Sequence, residues 1–582
     1  MINRTLACRH LVLVLLAPAV GLLATLARAE SPWLASSMPP KAIAYVELSG
    51  LEPVIAGFQD SEYLKVFLTS QLYQNLEKSP QYRKAHAARQ VLETHLGIDL
   101  WTLGKKLLGD RVALAVYPKP GNQPDVVLVV RAADPQVLAR LRDRIEPVLV
   151  LAEDQIETSE TSEGVRVIEV GDNAFFALHE KWVAAANNRD LLTKTQALLT
   201  GKVGGSLADD ETFQAMARQM GADHLGRVFV NTGALAEATD QRLGMPEKLD
   251  NPLGSLLLSG IIELIANSPY AGMTLDVEAT QFTLTAGVAG NPQSLGESYA
   301  PFFASFPQSG TRPIPQPPKL IGGFTLYRDF GDWYARREEL LQPQVLPGFD
   351  QFESGLGNLL PGKDVSEDVM PLIGKNFTMV AARQDYSHLD GQPGIKLPGF
   401  AAIVDLAKPQ EGAEVFRLFF QTFSSILNIQ AGQQGRQPWI LESESYKDVK
   451  ITFGKYLQKP SGERLPLVFN FRPASARVED KFIVSSSLGL CRQLIDELQQ
   501  PENNKTANKN LNLEFHFGPF ADILDANREF FQAQRIQQGR NPQQAKQDVA
   551  DALELVRYFR SLGLSTAATN GGFQAQLQGS WK

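Results

Sequence analysis

Pro39-Pro-Lys-Ala-Ile-Ala-Tyr-Val-Glu-Leu48 and Pro317-Pro-Lys-Leu-Ile-Gly-Gly-Phe-Thr-Leu326 are variants of one phrase, placed 278 residues apart. A repeated phrase has to be followed before any other reading of the fold, because repetition changes what each later element means. Downstream of the first copy, Gly97-Ile-Asp99 is followed ten residues after the aspartate by Gly109. Downstream of the second, Gly362-Lys-Asp364 is followed at the same spacing by Gly374. Each block then enters a run that reads as a strand, Val112–Val116 in one and Phe377–Ala381 in the other. A second strand follows in each, Val126–Val130 and Phe400–Val404, and then a helix marked by Pro135 or Pro409.

The match runs on. Lys181-Trp-Val-Ala184 pairs with Lys481-Phe-Ile-Val484, and the run from Val228 to Gly233 pairs with that from Glu514 to Gly518. A hairpin closes each half: Met273–Glu278 with Phe282–Ala286, and Ser565–Thr569 with Phe573–Leu577. The offsets drift only between 265 and 300, as loop insertions would make them. Between the halves lies Pro307–Lys319, with five prolines in thirteen residues. Proline lacks an amide donor and disfavours helix in the residue before it, so this stretch predicts an extended connection.

Several strands alternate apolar and polar residues, as in Phe573-Gln-Ala-Gln-Leu577, which is the signature of antiparallel sheet with one wetter face. Helices are interspersed without a regular βαβ rhythm. The expected fold is α+β: two duplicated halves, 30–306 and 320–582, each a largely antiparallel sheet with helices packed on one face. Val549, Leu553, Val556 and Phe559 make one core-type helical stripe, and Phe416, Phe419, Phe420 and Phe423 a denser one. The second stripe reads either as a helix laid on the sheet or as an exposed aromatic face. Leu253–Ala266 is apolar but has only 14 residues and includes Glu263, so it reads as a buried helix rather than a span.

The N-terminus carries a basic head (Arg4, Arg9, His10), an uncharged apolar run from Leu11 to Ala27, and Ala27-Arg28-Ala29. That is the three-part secretory pattern, with residues 1–29 as signal peptide and cleavage after Ala29. The chain of 582 residues has a formal charge of −8, and losing Arg4, Arg9 and Arg28 leaves −11. Such a chain lacks the basic footprint of a nucleic-acid binder. Of two cysteines, Cys8 falls in the signal, so Cys491 has no partner for an intramolecular disulfide and reads as a buried, inert thiol.

Taken together, Pro40–Leu48, Gly97–Val116, Val126–Leu141 and Trp182–Leu199 resemble the bacterial exported family known only as a domain of unknown function of the 3352 type. The resemblance implies export. It implies no activity, substrate or catalytic residue.

Searches for chemistry return no candidate catalytic, cofactor or metal residues. The six histidines beyond the signal (His86, His95, His179, His224, His388 and His516) hold no i, i+4 pair, and there is no H-E-x-x-H or C-x-x-C. No G-x-S-x-G elbow occurs. Gly357-Asn-Leu-Leu-Pro-Gly362-Lys363-Asp364 approaches a phosphate loop, but Asp364 replaces the magnesium-binding hydroxyl and would oppose the phosphates. Glu153–Glu163 reads as a solvated loop, and Asp209-Asp210-Glu211 as acids at the positive end of a helix. The expected function is therefore that of an exported cell-envelope protein, periplasmic or extracellular. It would be a non-catalytic module that binds or scaffolds another envelope protein, without cofactor, nucleic acid or a transmembrane span after cleavage. The alternatives are a binder of an apolar, lipid-like ligand along Phe416–Phe423 and Leu253–Ala266, and a hydrolase assembled from distant residues.

Overall fold

The computed structural model describes residues 33–582 apart from 120–122, 151–155, 162–163, 172, 203, 222, 240–245, 247, 306–307, 436–437, 458–461 and 570. Residues 1–29, read from the sequence as a signal peptide, lie outside the described residues. Contacts divide the chain into two compact units. The first takes the described residues up to Gly244 with Ile265–Ala289 and Gln578–Lys582; the second takes Met245–Leu264 and Gly290–Leu577. Both mix helix and strand.

Among the described residues ten strands lie wholly in the first unit: β1 (Ala44–Ser49), β2 (Arg111–Tyr117), β3 (Asp125–Arg131), β4 (Ile156–Glu160), β5 (Arg166–Val170), β6 (Ala174–Leu178), β7 (Trp182–Ala186), β8 (Gly226–Asn231), β9 (Tyr270–Val277) and β10 (Gln281–Ala289), and the strand Gly572–Trp581 ends in it. Side by side they run β4-β5-β6-β7-β3-β2-β1-β8-β9-β10, every pair antiparallel. The strand β4 falls in the acidic stretch read from sequence as a loop. Main-chain pairing with β5 from Ile156 to Glu160 makes it a strand, and Glu157 and Glu160 stay exposed.

The second unit contributes β11 (Leu320–Tyr327), β12 (Ile373–Ala382), β13 (Gly399–Leu406), β14 (Trp439–Tyr446), β15 (Val449–Tyr456), β16 (Ala474–Val478), β17 (Lys481–Ser485), β18 (Leu511–His516) and β19 (Phe559–Thr569). Their order is β14-β15-β16-β17-β13-β12-β11-β18-β19, again antiparallel throughout.

Helices stand on both faces of each sheet, not on one. In the first unit α1 (Arg189–Leu199) and α2 (Glu211–Met220) bury Leu191, Leu192, Phe213 and Met216 against Ala113, Ala115, Val129 and Ala184. On the opposite face Leu51 and Val54, from the helix Leu51–Asp60, pack with Leu48 and Leu275. The second unit repeats the plan with α3 (Pro409–Gln433) on one face and α4 (Leu488–Leu498) on the other. The reason lies in runs such as Val112-Ala-Leu-Ala-Val116. Both sets of alternate residues are apolar, so both faces need cover, and the alanine side lets a helix approach closely.

The repeated Gly-x-Asp is a helix stop followed by a helix start. Gly97 (φ 66°) ends Pro80–Leu96, and the Asp99 carboxylate accepts the Thr102 amide at 2.9 Å to open Leu100–Leu108. Gly362 (φ 74°) follows Leu346–Leu359, and Asp364 accepts the Glu367 amide at 2.8 Å. Of the proline-rich stretch, Ile314 is buried in the core of the second unit. Arg312 there pairs with Asp405 at 3.0 Å and Asp480 at 2.9 Å.

Candidate functional site

The widest functional candidate is the sheet face of the second unit that carries α3. Register places Leu564, Leu513, Phe324, Met379, Ala402 and Val484 in one row across six strands. All are apolar, yet Met379 is 36 % exposed and Phe400, one rung away, 44 %. The first unit has a matching row, Met273, Val228, Val46, Leu114, Leu128 and Ala185, of which Leu128 is 36 % exposed.

Helix α3 crosses this face at one side. Phe416 meets Phe482 with ring centroids 5.7 Å apart, Phe420 is buried, and the Asn428 amide group bridges the main chain of Trp439 at 2.6 and 2.9 Å. Phe419 and Phe423 stack on each other at 6.0 Å, with Phe423 left exposed. Leu418, Leu427 and Ile429 are exposed as well. The aromatic stripe is thus divided: half of it is the helix laid on the sheet, and half is an open apolar flank. Contiguous apolar surface of this kind marks interaction sites in soluble proteins.

The helix Pro252–Asn267 buries its small residues Ser255, Ser259 and Gly260 and leaves Leu253 and Leu258 exposed. It is therefore buried along one side only.

Of three cavities in the second unit, none takes a wall from Phe416, Phe419, Phe420 or Phe423. One of about 460 Å³ is lined mostly by charged and polar groups, among them Glu414, Arg417, Lys450 and Arg477. One of about 300 Å³ is an apolar groove of Leu524, Phe531, Val549, Leu553 and Val556. The third, about 250 Å³, gathers Arg383, His388, Arg472 and Arg492 beside the start of α4. Burial, with Arg472 next, pushes the His388 pKa down. These residues come from three distant segments, and no local motif in the sequence announces them.

The remaining sequence candidates fall as follows. Cys491 is fully buried in α4, and burial pushes its pKa up to about 12. Asp364 and Asp368 bond main-chain amides in the Gly357–Asp364 region, so that loop caps a helical turn rather than cradling phosphate. Asp210 caps α2 through the Thr212 and Phe213 amides. His86 and His95 are exposed on one helix. His516 sits on the polar side of β18 with Nε2 buried and unpartnered. Among the described residues no group of His, Cys, Asp or Glu is placed to hold a metal, and no helix is long and apolar enough to cross a membrane.

Comparison with known proteins adds little chemistry. No curated protein matches the chain. Crystal form IV of TP0453 aligns with a TM-score of 0.23 and 10% identity over 45% of this chain and 81% of that one. Form III gives 0.24 and 11% over 47% and 85%. Likeness at that level carries no argument. A family match covers Val126–Leu141, Trp182–Leu199 and the end of Gly97–Val116, but not Pro40–Leu48: residues 105–259 carry the domain described as "Protein of unknown function (DUF3352)".

Proposed function

We propose that this chain is an exported cell-envelope protein, periplasmic or extracellular, that binds or scaffolds another envelope protein without catalysing a reaction. The observation that carries the reading is the open apolar flank of α3 beside the half-covered sheet face, with Phe400, Phe423 and Ile429 at 44 %, 44 % and 62 % exposure. A helix flank and a sheet face present broad, shallow surface, which suits a protein partner better than a small molecule enclosed on all sides. The alternative, an apolar-ligand carrier, draws on the same side chains and on the 300 Å³ groove. Export rests on the three-part N-terminal segment.

We further propose that the chain is a duplication, with repeats at 30–306 and 320–582 joined by 307–319. Supporting it, the first nine strands of each lateral order correspond one to one, from β4 and β14 inward through β1 and β11 to β9 and β19. Gly109 and Gly374 also both stand where a Cβ would collide with its surroundings.

A photo-crosslinking residue placed at Phe423 or Phe400, in cells of the native envelope, tests the binding reading. It should join the chain to one defined polypeptide, and the same residue at exposed Lys546 should not. Crosslinks to lipid alone, with a small fixed-mass adduct in native mass spectrometry, would replace the scaffold by the carrier.

A further inference from the structure

The 250 Å³ cavity of the second unit carries an inference independent of the apolar face. Its cations come from three places: Arg383 after β12, Arg472 before β16, and Arg492 within α4. Two of them are engaged. Arg492 donates through two nitrogens to Glu444 at 2.7 Å each, and Arg383 reaches Asp522 at 3.3 Å. Arg472 lies over the Phe453 ring, 4.7 Å from its centroid, and no carboxylate among the described residues pairs with it.

The cavity brings no carboxylate into an ion pair with that guanidinium. Asp385, its one lining carboxylate, already accepts the Ser387 amide at 2.9 Å and the Ser387 hydroxyl at 2.7 Å. Ser487, Leu488, Gly489 and Leu490 line the same space. Ser487 makes no side-chain cap bond, and the first turn of α4 contains no acid. Burial, and then the neighbouring Arg492, press the Arg472 pKa down. Three guanidiniums are therefore gathered in one lining; Glu444 and Asp522 pair with two of them, and Glu444 and Glu442 act on Arg472 only from beyond ion-pair distance.

We propose that this cavity binds a tetrahedral oxyanion, either inorganic phosphate or a phosphomonoester, with Arg472 as its main ligand. A guanidinium offers a planar fork of donors that matches two phosphate oxygens at once. Arg383, Arg492 and the amides at the start of α4 add charge and donors around the rest of the anion. At ~30 Å³ per water the space equals about eight waters, enough for the anion and part of its hydration.

The test is calorimetric titration of the full chain with inorganic phosphate and with glycerol phosphate, at ionic strength held by chloride. Vesicles of phosphatidate, against phosphatidylcholine, form a second arm. Arg472→Gln should weaken binding at least about tenfold. Ser487→Asp should abolish it while leaving the fold intact, because aspartate is a good helix cap and sets its own carboxylate where the anion would lie. Lys546→Gln should change nothing. Binding of the soluble phosphates assigns the site to a free solute. Binding to phosphatidate vesicles alone, lost in both variants, assigns it to a lipid headgroup. No saturable binding in any arm, or binding that both variants leave unchanged, overturns the proposal.

Discussion

Helices α1 and α4 hold the same place in their units, each following the strand that borders β3 or β13. Their N-cap residues share one backbone conformation, φ −140° and ψ 128°. What fills that position differs. In the first unit Asn188 accepts the Leu191 amide at 3.1 Å and donates to Asp125 at 2.9 Å, and Asp190 lies in the first turn. In the second unit Ser487 makes no side-chain cap bond, no acid follows it, and the turn opens on three arginines. One helix end is satisfied from within the fold. The other carries no side-chain cap bond, and its first turn holds no acid.

The centres of the two sheets differ as well. Glu47 is buried in β1, accepting from Arg111 at 2.8 Å and from the Tyr45 hydroxyl at 2.5 Å. In β11 the corresponding core position is Thr325, whose hydroxyl meets that of Thr378 at 2.9 Å. Glu47→Ala removes the carboxylate of a largely buried ion pair with Arg111 and should cost ~3–5 kcal/mol in urea unfolding. Thr325→Val should cost only ~1 kcal/mol. Equal losses would mean that the two centres are held in the same way.

At the caps, Asn188→Ala should cost ~1 kcal/mol, whereas Ser487→Ala, which removes no cap bond, should stay within ~0.5 kcal/mol. A matching loss at Ser487 would erase the contrast on which the open helix end rests.

The smallest effect is one of pH. The Asp276 hydrogen bond raises the His224 pKa in the first unit, whereas burial lowers that of His388 in the second. The contribution of His224 is therefore complete below the unfolded value of 6.5 and is lost as pH rises through its higher folded value. That of His388 is complete above 6.5 and is lost as pH falls through its lower folded value. Acid should thus favour the first unit and disfavour the second. Hydrogen exchange of β8 and β13 amides at pH 5.5 and 8.5, corrected for intrinsic rates, would read the two slopes, and Val228 and Ile403 protections moving together would contradict them.

Strands were the most legible part of this chain, because β-branched and aromatic runs between turn residues declared them; Val112–Val116, Phe400–Val404 and Val126–Val130 all lie within strands. Phase was harder. Matched by rung, Val183 opposite Val130 stands with Phe482 opposite Val404, one residue off the Lys-Trp-Val-Ala and Lys-Phe-Ile-Val alignment. Both runs are apolar on both faces, so alternation gave no phase, and a slip of one residue exchanges the faces. For the same reason the second helical layer was missed. The cationic cavity could not be read at all, since Arg383, Arg472 and Arg492 converge only through β12, β16 and α4.

The outermost strands have one more consequence. Among the described residues β4 pairs only with β5, and β14 only with β15. The first carries exposed Glu157 and Glu160, and the second carries Glu442 and Glu444. Sheet margins invite a neighbour to add a strand and start a fibre. Two copies meeting along β4 would bring Glu157 and Glu160 against their counterparts, whereas in β14 Lys455 pairs with Glu442 and Arg492 with Glu444. Crowding should therefore leave the β4 margins apart, and replacing Glu157 and Glu160 together by threonine should shorten the lag before aggregation.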